Sequence, residues 1–270
     1  MRIHVRHETA YTYETPPKSI IQVLKLTPRS HEGQHVIDWR IDCDADCRLK
    51  PGEDAFGNIT YAFTVNHPVS SLKLGVEGEV ETFGTSGLVA RAVERFPPLL
   101  FLRETGLTQP HLSMRDLAPR RRDTLEFLHG LMAAIHERMI FDPDPTHSGT
   151  TACEALQLGR GVCQDYAHMF IAAARLAEIP ARYIGGHFCR IDGQVEQTAG
   201  HAWAEAWVEN LGWVGFDPAN GICVQETHIR VACGLDYLGA APVRGARNAG
   251  TGETLKVHVT VAQASAQSQN

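Results

Sequence analysis

The hydrophobic periodicity of this sequence changes near residue 84. Up to that point, apolar and β-branched residues alternate with polar ones between turn-forming segments, which is typical of half-buried β-strands. Beyond it, apolar residues recur at steps of three and four, which is typical of an amphipathic helix. We therefore expect an all-β unit followed by a unit of helices packed on an antiparallel sheet, an α+β arrangement.

The first unit is expected to span residues 1–84 and to form a small β-sandwich. Proline- and glycine-containing turns such as Thr15-Pro16-Pro17 and Asn66-His67-Pro68 divide it into short segments. The strands between these turns are predicted at 3–11, 20–26, 35–43, 58–65 and 72–83.

The second unit is expected to span residues 85–263, with a polar tail at 264–270 that is predicted to be frayed. Its first helix should begin near Asp123 and end at a Pro-containing segment after Met139. Further helices are predicted at 152–158 and 164–178, and strands at 182–191, 201–208, 213–216 and 255–261.

Composition and charge exclude several classes of protein. Apolar residues make up 43% of the 270 residues, enough for a globular core. The formal charge is −6 and the longest basic run is 120–122, so no nucleic-acid partner is expected. The first residues lack the apolar segment of a signal peptide, and no apolar run approaches the roughly 18 residues of a membrane span. We therefore expect a cytoplasmic protein without a membrane partner, whose seven cysteines are reduced thiols.

The segment 159–168 concentrates the residues that carry chemistry, because a glycine-bearing turn places Cys163 in the first turn of a predicted helix. Unpaired N–H groups and the helix dipole at such a position favour the thiolate over the thiol. The same N–H groups are able to stabilise an oxyanion. The alternative is that Cys163 is a buried core thiol, which is common for a free cysteine. The other six cysteines lack this setting and are interpreted as structural.

A thiolate nucleophile requires a histidine base that a carboxylate or amide aligns. His201 opens an alternating strand, and Asp217 lies near the end of the next one. If these strands form a hairpin that turns near 210–212, both side chains lie at its open end. Counted from Leu211, the two positions are unequally far from the turn, so we expect a bulge or a non-adjacent pairing. The alternative role of Asp217 is that of a turn residue before Pro218.

Several segments together resemble the bacterial transglutaminase-like core and the N-terminal domain that often precedes it. The segments of the core resemblance are 161–168 (GVCQDYAH), 179–186 (IPARYIGG), His201-Ala202-Trp203 and Phe216-Asp217-Pro218. The segment 54–58 (DAFGN) resembles the N-terminal domain, and the segments 242–245 (PVRG) and 255–259 (LKVHV) resemble the end of such proteins. The resemblance implies a papain-like fold for the core.

The resemblance also implies roles for three residues: Cys163 as nucleophile, His201 as base and acid, and Asp217 as the residue that orients the imidazole. It implies no metal and no organic cofactor. Transglutaminases proper supply an oxyanion donor from a tryptophan upstream of the nucleophile, but no tryptophan lies between Trp39 and Trp203.

Other residues are therefore considered for contacts with the oxyanion or the substrate. The backbone N–H of Cys163 is one donor, and Gln164 or a residue near Gln157 is the expected second one. Trp203 and Asn220 are further candidates, although an aromatic residue at an alternate strand position is more often part of the core. Asp165 and His168 are interpreted as structural.

The function predicted from these observations is cysteine-dependent hydrolysis of a peptide-like amide in a protein or peptide substrate, through a thioester acyl-enzyme. One alternative is transamidation, in which an amine resolves the thioester. Another is a catalytically silent scaffold that binds a protein partner. A third is a metal site built from Cys163, His201 and Asp217, which lack the local ligand pairs typical of such sites. The sequence does not indicate an oligomeric state.

Overall fold

The computed structural model describes residues 1–117 and 123–264. The basic run at 120–122 and residues 265–270 of the expected tail lie outside the described residues. The predicted strands of the first half are present, because the alternating residues bury one face of each strand. The strands of this half are β1 Arg2–Thr15, β2 Ser19–Thr27, β3 Gln34–Cys43, β4 Lys50–Glu53, β5 Ile59–Val65, β6 Ser71–Thr82 and β7 Leu88–Val89. The two short strands among them, β4 and β7, were not predicted.

The helices of the second half begin at side-chain caps or at the turn before Cys163. Asp123 caps the first helix through Glu126 N–H, and Thr151 caps the second through Glu154 N–H. The helices are α1 Thr124–Arg138, α2 Ala152–Leu158, α3 Cys163–Leu176 and α4 Tyr237–Ala240, with short 3₁₀ helices at Pro98–Leu102 and Leu112–Asp116.

Several strands of the second half were not predicted from the sequence, and the longest of them are His228–Gly234 and Val243–Asn248. The strands of this half are β8 Ile140–Phe141, β9 Arg160–Gly161, β10 Ala181–Phe188, β11 Glu196–Gln197, β12 His201–Val208, β13 Gly212–Asp217, β14 Ile222–Cys223, β15 His228–Gly234, β16 Val243–Asn248 and β17 Thr251–Gln263.

Two sheets form the expected sandwich. The long sheet has the order β11-β17-β1-β6-β3, and the short sheet has the order β16-β2-β5-β4. Their inner faces share one apolar cluster that includes Tyr11, Leu24, Phe63 and Leu74. All of these strand pairs are antiparallel.

The last strands of the chain complete this sandwich, so the sheets do not follow the expected division at residue 84. β17 pairs with β1 along nearly its whole length, and β16 pairs with β2. The prediction of a strand near 255–261 was right, but its place with the second unit was wrong. Alternation at 251–263 indicates a strand, whereas the partner depends on residues more than two hundred positions away.

The core sheet has the order β14-β13-β12-β10-β15, with β7 beside β13. α3 packs against β12 and β10 with nearly all of its side chains buried, and α1 and α2 pack against α3. One apolar cluster joins these helices to the core sheet and to Ile3, Val5 and Val259 of the long sheet. Helices packed on an antiparallel sheet behind a β-sandwich confirm the predicted α+β class.

Candidate active site

Cys163 is the first residue of α3 and is half-buried. The turn before it is tight, because Gly159 ends α2 in the left-handed region at φ 63° and Gly161 leaves no room for a side chain. A Cβ at Gly161 would clash with the Asp165 carboxylate. The sequence therefore fixes the position of the thiol at the N-terminus of a buried helix.

Asp165 holds this turn from inside the helix. Its Oδ2 accepts hydrogen bonds from Val162 N–H and from the Thr146 hydroxyl, each at 2.8 Å. Burial raises the pKa of Asp165, although these two donors lower it in part. The structural role expected for Asp165 agrees with these contacts.

The first N–H groups of α3 are open. In the described part of the chain, the backbone N–H groups of Cys163 and Gln164 have no hydrogen-bond acceptor, whereas Asp165 N–H donates to Val162 O. Such groups, together with the helix dipole, favour negative charge at the helix start.

His201 and Asp217 lie at the open end of the β12–β13 hairpin, and they are directly bonded. His201 Nε2 donates to Asp217 Oδ2 at 2.7 Å. The hairpin is regular, because Val208 pairs with Gly212 and Ala204 with Phe216. The expected bulge was therefore wrong: the turn is centred on Asn210, whose φ is 67°. The two residues are offset by two positions, which places their side chains on the same face of the pair.

The electrostatics of this pair keep a proton on His201. Burial lowers the pKa of His201, but the Asp217 carboxylate and then the Cys163 thiolate raise it, to about 10. The bond to Asp217 uses Nε2, so Nδ1 is the nitrogen available to the thiol. Asp217 is fully buried, and its imidazole partners hold the pKa of its carboxyl far below the usual range although burial raises it.

A second histidine, His228 on β15, also contacts Asp217. Its Nε2 lies 3.1 Å from Asp217 Oδ2, and its side chain is fully buried. The sequence analysis missed both β15 and this residue. The apolar residues Ile229, Val231 and Cys233, at alternate positions in the sequence, are a strand signal that could have located β15.

The other predicted contact residues occupy different places. Asn220 donates through Nδ2 to Asp217 Oδ2 at 2.7 Å, so it supports the carboxylate. The Gln164 side chain is buried, and its Nε2 lies 3.5 Å from the carbonyl oxygens of His147 and Ser148. Gln157 is exposed and its amide contacts Cys153 Sγ.

Trp203 belongs to a buried aromatic cluster that also contains Phe101 and Trp213. Only 1% of its surface is exposed, and its Nε1 has no partner among the described residues. Its ring lies 6.1 Å from the His201 ring. The core interpretation of Trp203 therefore fits better than that of a cleft wall.

His201, Asp217 and His228 also offer three atoms of metal-ligating type within 4.8 Å of one another. In this structure both imidazole Nε2 atoms contact the same carboxylate oxygen. Two ligands of one zinc ion lie about 2 Å from the metal in tetrahedral geometry, which separates them by more than the 2.7 Å found here. The three residues are arranged as a hydrogen-bonded group and would have to move apart to hold an ion.

Two protein-family models match the sequence of this chain. The model of the transglutaminase-like superfamily matches residues 115–218, and that of the bacterial transglutaminase-like N-terminal region matches residues 3–81. The chain belongs to the transglutaminase-like superfamily. The resemblance stated from the sequence is thereby confirmed, and the matches support a cysteine-dependent enzyme family.

Two curated relatives match most of this chain and most of their own length. An uncharacterized protein of Mycobacterium leprae is 29% identical over 261 residues, covering 90% of this chain and 92% of the relative. An uncharacterized protein of Mycobacterium tuberculosis is 28% identical over 272 residues, covering 90% and 87%.

Among solved structures, a candidate cysteine protease from Cytophaga hutchinsonii has the same fold. The two superpose with a TM-score of 0.79 over 99% of this chain and 92% of that one, at 17% sequence identity. This likeness confirms the predicted transglutaminase-like, papain-like core. In the described parts of the chain, no helix has the length and apolar character needed to cross a membrane.

Proposed function

We propose that this protein hydrolyses a peptide-like amide through a thioester on Cys163. One observation carries the proposal: a cysteine at the open N-terminus of α3 lies beside a histidine that is itself bonded to a buried carboxylate. A thiol, an imidazole and an orienting carboxylate in this order are the parts of a nucleophilic acyl-transfer site.

In the first step, the Cys163 thiolate attacks the carbonyl carbon of the amide and a carbon–sulfur bond forms. The carbon–nitrogen bond then breaks, and the imidazolium of His201 gives its proton to the departing amine. The raised pKa of His201 supports this role, since it keeps the imidazole charged at neutral pH. In the second step, neutral His201 removes a proton from water, which attacks the thioester and releases the acid and the thiolate.

The oxyanion of each tetrahedral intermediate needs hydrogen-bond donors. We assign one donor to the backbone N–H of Cys163, which has no other acceptor in the described residues. The amide of Gln164 is the proposed second donor. Its contacts with two loop carbonyls are at 3.5 Å, a length at which hydrogen bonds are weak.

The acyl donor is proposed to be a protein or peptide, and the location to be cytoplasmic. No organic cofactor or metal takes part in the steps above. Water is preferred as the acceptor over an amine, because favouring an amine requires a site that excludes water. The side chain of His201 is 11% exposed, which supports access of water to His201 and Cys163.

The first experiment measures alkylation of Cys163 by iodoacetamide as a function of pH, located by mass spectrometry. Reaction should persist well below the ordinary thiol pKa of about 8.5 in the wild type, and it should be lost in His201→Ala. The distant cysteine Cys47 provides an internal control in the same sample, since it lies in the sandwich cluster. A Cys163 that reacts no faster than a model thiol would favour the alternative of a silent scaffold.

The second experiment separates hydrolysis from transamidation. A library of acyl-blocked peptides is incubated with the protein in the presence of a primary amine. The products are then identified by mass spectrometry. Free acids, absent with Cys163→Ala, support hydrolysis. Products that carry only the added amine would show that the alternative, transglutaminase-type transamidation, is right.

A further inference from the structure

His228 lies behind the proposed catalytic pair and shares its carboxylate. The residue opens β15 and pairs with Phe188 of β10. Its Nε2 is 3.1 Å from Asp217 Oδ2, the same oxygen that accepts the bond from His201. Asp217 therefore connects two imidazoles through one atom.

The protonation of His228 follows from its other contacts. Gln225 N–H donates to His228 Nδ1 at 3.2 Å, so Nδ1 is an acceptor and carries no proton. The Thr227 hydroxyl lies 3.2 Å from the same nitrogen. The proton of a neutral imidazole must then be on Nε2, from which it is donated to Asp217. Burial, which outweighs the effect of Asp217, lowers the pKa of His228 and so supports the neutral form.

The ring of His228 is also fixed in position. The Phe188 ring lies 4.8 Å away and the Trp203 ring 5.2 Å away, the latter edge-on at 81°. The titratable groups that face it are Asp217 on β13 and His201 on β12, whose ring is 6.0 Å away. A clamped, neutral imidazole is thus a donor of constant charge and direction.

We propose that His228 is a positioning residue that holds Asp217 Oδ2 toward His201. The inference rests on the proposed function of the Cys163 site. The other neighbouring donor, Asn220, is at an exposed position where water competes for its amide, whereas His228 is buried. Without His228, the carboxylate is free to turn toward Asn220, whose N–H lies 3.2 Å from Oδ1 and whose Nδ2 contacts Oδ2. His201 then loses the fixed acceptor that orients its ring and keeps it charged.

A matched pair of variants tests this role. His228→Gln keeps an N–H donor near the position of Nε2, and His228→Met has a similar length without a donor. The readout is the pH profile of Cys163 alkylation by iodoacetamide, since a purely structural residue would not move it. His228→Met should lower the rate near neutral pH by about tenfold and shift the profile about one unit toward that of a free thiol. His228→Gln should restore the wild-type profile.

The outcomes distinguish this inference from the function on which it rests. If wild-type Cys163 is not activated, the proposed function fails and the inference fails with it. If the wild type is activated and His228→Met has an unchanged profile, only the role of His228 is overturned. The same is true if the Gln and Met variants shift equally.

A measurement on the wild-type protein covers the case in which a variant does not fold. Nitrogen-15 NMR of labelled histidines should show His228 neutral, with its proton on Nε2, from about pH 7 to about pH 8. A proton on Nδ1, or an imidazolium in this range, would overturn the inference.

Discussion

Arg182 and Glu205 form a buried ion pair across adjacent strands of the core sheet. They are direct partners in the β10–β12 register, and Arg182 Nε donates to Glu205 Oε2 at 2.6 Å. The guanidinium also donates to Glu94 and lies 3.8 Å from the centre of the Trp213 ring. Burial raises the pKa of Glu205, but Arg230 and Arg182 have a larger opposite effect. Together they lower the pKa to about 2.

We predict that Arg182→Met destabilises the protein by about 3–5 kcal/mol, since it leaves buried carboxylate oxygens with fewer donors. Urea unfolding at neutral pH measures the change. The control is Arg190→Met, which removes only the exposed pair with Asp192 and should leave stability unchanged. Equal stability of Arg182→Met and wild type would show that the ion pair does not stabilise the fold.

The His201–Asp217 pair should make the folded protein less stable at alkaline pH. The folded pKa of His201 is about 10 against an ordinary value of 6.5. Its contribution is therefore fully present below about pH 6.5 and is lost as the pH rises toward 10. We predict that the free energy of unfolding falls over this range in the wild type and falls less in Asp217→Asn. Parallel curves for the two proteins would contradict the raised pKa.

Histidines that are buried in the neutral form should make the folded protein less stable at acid pH. Burial lowers the pKa of His7 to about 4, and burial followed by His7 lowers that of His187 to about 3. Since the unfolded chain takes up these protons first, the contribution is present above about pH 6.5 and is lost as the pH falls toward these values. His187→Phe should remove about 2 kcal/mol of the stability change between about pH 7.5 and about pH 5. An unchanged difference between the two pH values would rule out a neutral His187 in the fold.

Gly161 is predicted to be essential for the nucleophile turn. Gly161→Ala places a Cβ against Asp165 Oδ2 and Cγ, so the bonds to Val162 and Thr146 are expected to break. Cys163 alkylation near neutral pH should fall by at least about tenfold. Gly130→Ala in α1 is the control, because nothing lies within 4 Å of its added Cβ. That change should instead stabilise the helix by up to about 1 kcal/mol. Normal alkylation of Gly161→Ala would show that the turn tolerates a side chain.

The final strand is predicted to be required for folding. A chain that ends at residue 248 lacks β17, which leaves one edge of β1 unpaired and removes Val259 and Val261 from the core. We expect this chain to lose cooperative unfolding and fixed tertiary structure, as measured by near-ultraviolet circular dichroism. A chain that ends at Ala264 keeps all of β17 and should behave as the wild type. A cooperative transition in the shorter chain would refute the prediction.

Local patterns were sufficient for much of this fold. Alternation and helical spacing located most elements because each pattern reports the burial of its own side chains. The Cys163 turn was predictable for the same reason, since Gly159 and Gly161 act within a few residues of it.

The pairing of strands that are distant in the sequence could not be predicted from local patterns. His228 reaches Asp217 only because β15 lies beside β10 in the core sheet, and no local pattern specifies that neighbour. The β12–β13 hairpin was predicted, but its regular pairing was missed because the centre of the turn depends on the positive φ of Asn210. A shift of the assumed centre by one residue changes which side chains share a face.

The pairing of β1 with β17 sets an order of events during synthesis. β1 can join β6 once the first 82 residues have left the ribosome, but its other edge has no partner until residues 251–263 emerge. Until those residues emerge, the nascent chain exposes an unpaired strand edge of the kind that recruits other chains. The long sheet therefore closes only after residues 251–263 have been synthesised, which makes this pairing a late event in folding on the ribosome.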